Sequence, residues 1–178
     1  MTYFLIFGRA FFLVVFAASA ILKVRDFRSF ERHMAATLPR LRTGVPLLAR
    51  GVIAVEAVGA LSMLLPAPLI FYGFILVLLV CAGFTAYVVN LVRKNGGESC
   101  GCMGESRVPA SRLHVLRNVV LLLLASVAAV GSWPTAADGP GLVADHLIAA
   151  VPAIGTAAAV VLFDDLIALF TLSPKDSD

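Results

Sequence analysis

Residues Leu69 to Val92 run for 24 positions without a formal charge. A helix rises about 1.5 Å per residue, and a bilayer's hydrocarbon core is about 30 Å thick, so such a run is long enough to cross a membrane. Four other stretches share its character: Tyr3 to Leu22, broken only by Arg9; Val45 to Leu65, with Arg50 and Glu56; Val115 to Trp133, with Arg117 in its first turn; and Leu147 to Leu172, uncharged as far as Phe163. Of the 178 residues, 60% are hydrophobic and 14% charged. A soluble domain of this size has too much surface for its volume to hide that many apolar side chains. A soluble enzyme, a disordered chain and a free nucleic-acid binder are thereby excluded. Nothing alternates with the period of two that an outer-membrane barrel needs.

The expected fold is an all-α integral membrane protein. Residues 1–133 form a four-helix transmembrane domain, 134–172 a loop and a fifth transmembrane helix, and 173–178 a polar tail. The uncharged run of the fifth span is about 17 residues, the lower limit for a crossing, and Pro152 within it is able to kink it. Ala18-Ser19-Ala20 resembles a signal-peptidase site, but basic residues follow the first apolar run instead of preceding it, as in a retained anchor. Thirteen of the fourteen lysines and arginines fall in three segments: Lys23 to Arg50, Arg93 to Arg117, and the tail. Five spans put these segments on one side, so the positive-inside rule sets the N-terminus outside and the C-terminus in the cytoplasm. In the first cytoplasmic loop, Phe27, Phe30, Met34 and Leu38 recur at helical spacing, opposite Arg25, Arg28 and Arg32. With Asp26 as its cap and Pro39 as its stop, this is a short interfacial helix against the lipid surface, although a partner-binding helix has the same pattern.

The loop between the third and fourth spans contains Ser99-Cys100-Gly101-Cys102-Met103-Gly104. Two cysteines one residue apart sit near the upper limit of disulfide reach. A strained, exposed bridge is labile and suited to exchange. Arg93, Lys94 and Arg107 are close in sequence, and positive charge favours the attacking thiolate. Cys100 and Cys102 are therefore candidate exchanging, catalytic residues. Two plainer readings stand beside this one: idle loop cysteines, and zinc binding with His114 and His33. Zinc asks for four ligands, which this chain does not supply nearby, so no metal site is expected. Cys81, in the uncharged middle of the third span, reads as a packing cysteine or a relay thiol. Glu56 is a costly group at mid-membrane. Counting residues from the ends of their spans puts Arg9 at nearly the same depth, so an Arg9–Glu56 ion pair is expected, or a polar pocket for a proton or a quinone head. No cofactor is certain, and a quinone is the one the pattern admits. Asn90, Arg117 and Asn118 fall near the cytoplasmic face, where Asp164 and Asp165 are in reach of Arg112 or Arg117.

Three segments resemble a known family. Ser19 to Phe27 is similar to the end of the first helix of the MauE branch of the DoxX-like membrane proteins. Ala54-Val55-Glu56-Ala57-Val58-Gly59 is similar to that family's second helix. Cys100-Gly101-Cys102-Met103-Gly104 resembles its Cys-x-Cys-Phe-Gly loop, with Met103 in place of the aromatic, followed by the Arg117-Asn118 pair. The resemblance covers about residues 3–133. It implies a protein of the bacterial cytoplasmic (inner) membrane linked to methylamine utilisation. There the family supports maturation of a disulfide-rich exported dehydrogenase subunit beside a thioredoxin-like redox protein.

Membrane thiol–disulfide exchange is the function expected, with the lipid bilayer, a thioredoxin-like protein and a disulfide-containing exported cargo as partners. A non-catalytic scaffold or assembly subunit and a small-molecule carrier are the alternatives, so whether the chain is an enzyme stays open at this point. Cysteine-accessibility labelling is expected to place residues 25–44 and 93–112 on the cytoplasmic side and 134–146 outside. Labelling of Cys100 from outside intact cells overturns this orientation and points to a direct oxidant of exported thiols.

Overall fold

The structure is a computed structural model that describes residues 2–38, 43–66, 69–94, 111–133, 143–163 and 165. Among these residues every regular element is a helix: α1 (Thr2–Arg25), α2 (Phe27–Thr37), α3 (Val45–Ser62), α4 (Ile70–Arg93), α5 (Arg112–Gly131) and α6 (Val143–Val161). α1, α3, α4 and α5 are long and apolar enough to cross a membrane. In a bilayer every backbone polar group must find its partner within the protein, and a helix does this inside one segment. Large apolar side chains such as Leu61, Tyr72, Leu79, Leu123 and Val130 point outward, the surface that lipid covers.

α1 is central: it packs along α3 and α6 and touches α5. Its phenylalanines build the core. Phe12 is buried and meets Phe11, Phe16 and, on α4, Phe74 edge to face, with ring centroids 5.1, 6.3 and 6.4 Å apart. Aromatic pairs favour such offset geometry over face-to-face stacking. α4 and α5 form the second tight pair, closed by Val77, Cys81, Leu121, Ala125 and Ala128.

α2 follows the expected pattern. The Asp26 carboxylate accepts a hydrogen bond from the Ser29 amide at 3.3 Å, capping an orphan donor of the first turn. Phe30 and Met34 are buried, but against Val45 and Ala49 in the first turns of α3. Part of the apolar face expected to meet lipid is thus covered by protein. The Tyr87 hydroxyl donates to Thr37 Oγ1 at 3.0 Å, which fixes the end of α2 to the last turns of α4.

α6, the counterpart of the expected fifth span, starts at Val143, four residues before the expected Leu147. Its apolar part, Ile148–Val161, is shorter than the four long spans. Pro152 lies inside α6 without ending it. Ala149, Ala153 and Ala157 are buried at intervals of four, and small residues at that spacing let helix backbones approach closely. Residues 164 and 166–172, the rest of the expected span, lie outside the described residues, as does the 173–178 tail.

The α3–α4 turn depends on a glycine. A Cβ on Gly73 meets the Ser62 carbonyl oxygen at 2.9 Å and the Met63 methyl at 3.1 Å, whereas one on Gly83, ten residues along α4, meets nothing within 4 Å. Overpacking a tight site costs about 1–3 kcal/mol, and glycine to alanine in a helix interior gains about 0.5–1 kcal/mol. Gly73→Ala is therefore expected to lower the unfolding temperature in detergent, and Gly83→Ala to leave it unchanged or raise it. Equal behaviour of the two variants contradicts this packing.

Candidate functional site

Ser19 and Lys23 are four residues apart on α1 and so share one face. That face meets α3 at Glu56. Lys23 is 0% exposed and Glu56 1% exposed. The Lys23 ammonium donates to Glu56 Oε1 at 2.6 Å and to Ser19 Oγ at 2.6 Å, and the Ser19 hydroxyl donates to the same carboxylate oxygen at 2.9 Å. Two aromatic rings complete the enclosure. Phe30 of α2 and Phe84 of α4 each lie with their ring centroid 5.5 Å from the Lys23 nitrogen, at cation–π range.

The carboxylate's other oxygen, Oε2, has no hydrogen-bond partner among the described residues. Glu56 also lines a void of about 30 Å³ bounded by polar Ser19, Arg117 and Asn118, by Cys81 and by apolar Val15, Phe16, Phe84 and Leu121, with room for one water molecule. Polar side chains from α1, α3, α4 and α5 thus converge in the half of the bundle nearest α2. On α5, His114, Arg117 and Asn118 are buried. His114 Nδ1 accepts from the Ser111 amide at 3.2 Å and lies 2.9 Å from the Ser111 hydroxyl, so this histidine caps its own helix. The Arg117 guanidinium sits 5.4 Å from the Phe163 ring. Asp164, once expected near Arg112 or Arg117, lies outside the described residues.

The expected Arg9–Glu56 pair does not form. Arg9 instead donates to the Met63 carbonyl at 3.1 Å and the Leu65 carbonyl at 2.5 Å. A cation at these orphan carbonyls satisfies the end of α3. The depth count failed because α3 begins beside α2, where Val45 and Ala49 pack on Phe30 and Met34. Its first turn is therefore not level with the end of α1, and Glu56 falls opposite Ser19 and Lys23. The Ser19-x-x-x-Lys23 spacing carries this signal in the sequence, although Lys23 sits at the start of the basic segment that reads as a loop. Cys81 is free and buried, packed in the main core yet lining the same void as Glu56. Cys100 and Cys102 lie outside the described residues, between the end of α4 and Ser111.

A second space lies on the other side of Lys23. A cavity of about 560 Å³ opens between α2, α3 and α4, with Lys23, His33 and Tyr87 in an otherwise apolar lining. Taken together, these features define a multi-pass helical membrane protein with an ion pair enclosed in its bundle. The family model for the methylamine utilisation protein MauE matches residues 1–133. The methylamine utilization protein MauE of Paracoccus denitrificans is 33% identical over 127 residues, 69% of this chain and 67% of that protein. The chain belongs to the MauE family, and the match takes in α1 to α5. No solved structure matches it.

Breaking a buried pair by removing one partner costs about 3–5 kcal/mol in soluble proteins, because a lone charge stays buried. Glu56→Ala is expected to reduce the yield and unfolding temperature of the purified protein. Adding Lys23→Met should recover most of the loss, and adding Arg9→Leu should recover none. Rescue by Arg9→Leu instead contradicts the pairing.

Proposed function

We propose that this chain performs thiol–disulfide exchange at the membrane, in support of the maturation of an exported, disulfide-containing protein in methylamine utilisation. One observation carries the reading: a Cys100-x-Cys102 pair between two spans of a chain that belongs to the MauE family. The two ends of its loop are held at a fixed separation, since α4 and α5 pack tightly along each other and Ser111 is fixed by its cap with His114. The loop thus starts and ends at the α2 end of a rigid helix pair.

Exchange needs no further group on the protein. A thiolate of a partner attacks one sulfur of the Cys100–Cys102 disulfide, and the bond between the loop sulfurs breaks as a mixed disulfide forms. The partner's second thiolate attacks that mixed disulfide. The partner leaves oxidised, and both loop cysteines end reduced by two electrons. A thioredoxin-like redox protein is the partner this reading names, with the exported cargo beyond it. With the loop on the cytoplasmic side, as the charge bias has it, the exchange partner is a cytosolic thiol protein and a separate carrier links it to the exported side. With the loop outside, exchange with the exported side is direct. Cys81, enclosed among core side chains, packs the helices and takes no part.

The purified protein is expected to hold a reversible Cys100–Cys102 disulfide whose potential is more oxidising than the roughly −300 mV of structural bridges. Cys100→Ser and Cys102→Ser should each stop growth on methylamine, and Cys81→Ala should be tolerated. Thiol counting under graded glutathione, with mass spectrometry to map the bridge, reads this directly. If no bridge forms at any poise and both serine variants stay active, exchange is lost and a non-catalytic scaffold takes its place.

A further inference from the structure

Three polar side chains stand in the wall of the 560 Å³ cavity: Lys23, His33 and Tyr87. Lys23 is 0% exposed and donates to Glu56 and Ser19 at 2.6 Å, and the rings of Phe30 and Phe84 close over its nitrogen. The Tyr87 hydroxyl is spent on Thr37, and His33 likewise interacts within the protein. An occupant that needs a hydrogen bond or a counter-charge therefore finds little here to hold it. The rest of the wall is carbon, with Leu48, Val55, Leu76, Leu79 and Val80 among it. Water does not fill such a space, because an apolar cavity offers it no partners.

The space opens sideways. Leu48, Val55 and Leu79 line it and are also exposed on the surface that lipid covers. α3 and α4 are pressed together at Gly73, beside Ser62 and Met63; nearer α2 the cavity stands between them. From Leu76 to Tyr87 its wall runs about 16 Å along α4, at 1.5 Å per residue. A bilayer's hydrocarbon core is about 30 Å thick, so the chains of one leaflet span about 15 Å. The groove thus matches the depth of one leaflet. Gly51 on α3 and Gly83 on α4 both line it, and a Cβ on either meets nothing within 4 Å. Alanine at either position would steady its helix without a clash. Glycine at both leaves bare backbone on two facing walls.

We infer that this groove seats one acyl chain of a bilayer phospholipid, which enters sideways between α3 and α4 and lies along Val55, Leu76 and Val80. Its continuity with the lipid-facing surface and its carbon wall select the occupant. The chain is held for its hydrocarbon, and the headgroup is not selected, since the polar groups of the wall are engaged elsewhere. This seat is independent of thiol exchange and holds whether or not the loop cysteines react.

The test uses the purified full-length protein in phosphatidylcholine nanodiscs that contain a phosphatidylcholine probe with a diazirine midway along one acyl chain. Adducts on residues 48–55 and 76–84 are expected at least fivefold above those on 120–130 of α5, where exposed Leu123, Val127 and Val130 report ordinary lipid contact. Groove labelling no stronger than that of α5 overturns the proposal, whether bilayer lipid passes by or another part of the protein fills the space. Gly51→Leu with Gly83→Leu should bring groove labelling down to the α5 level, and Gly155→Leu, on α6, where a Cβ also meets nothing, should leave it unchanged. Undiminished labelling of the filled variant overturns the seat. Should that variant lose unfolding temperature, Gly51→Leu alone decides, with at least threefold weaker labelling expected and unchanged labelling counting against the site. Probes with phosphatidylglycerol and phosphatidylethanolamine headgroups should label the groove within twofold of each other. A tenfold preference between them overturns the reading, because it makes the headgroup and not the chain the group that is bound.

Discussion

The structure turns on a lysine and a glutamate that are hidden together among apolar helices. Desolvating each ion costs several kcal/mol, a cost offset only when the two meet in good geometry with further hydrogen bonds. Here Ser19 supplies those bonds by accepting from Lys23 and donating to Glu56. Successive residues on a helix are about 100° apart, so a slip of one position between α1 and α3 would leave both charges unpaired. The pair therefore sets the register of these two helices. Phe30 must lie against Lys23 as well, which draws α2 back over the end of α1.

Arg9 fixes the same two helices at the other end by a different interaction. It takes carbonyls at the end of α3 instead of a carboxylate. Two positive side chains of one helix thus hold α3 at two heights, one through backbone and one through a side chain. Lys23 and Arg117 are buried, so they do not act as solvent-facing charges. The basic residues left to set the orientation argument are Arg25, Arg28, Arg32, Arg50, Arg93 and Arg112 on the helices, together with those of the joining segments and the tail.

The long spans were legible in the sequence because each is a run of apolar residues whose length matches a bilayer, and α2 because its cap and its apolar spacing agree. The start of α5 was not, since its cap pairs Ser111 with His114 and not with the usual glutamate or glutamine. The partner of Glu56 was missed for a different reason. Depth in a membrane was counted from the first apolar residue of each span, but Val45 is apolar because it packs on α2, not because it lies in lipid. Apolar character does not separate those two kinds of burial. Nor does a sequence show that two glycines on different helices face one space, as Gly51 and Gly83 do across the cavity between α3 and α4.

Stability alone does not account for the ion pair. Replacing a buried pair by apolar residues of similar volume is often neutral or stabilising, so a bundle that needed only cohesion would do as well with two leucines. Specifying register is one reason to keep charges inside, and it is met by the contact between Lys23, Ser19 and Glu56 themselves. It does not require that the lysine also form part of a cavity wall beside two aromatic rings, nor that the carboxylate line a void shared with Cys81, Arg117 and Asn118. The pair stands between two spaces, one large and lined mostly by apolar side chains, the other the size of a water molecule. A residue pair retained only to align helices would be best sealed on every side by packed carbon. This one is enclosed, yet it borders a space on each of two sides.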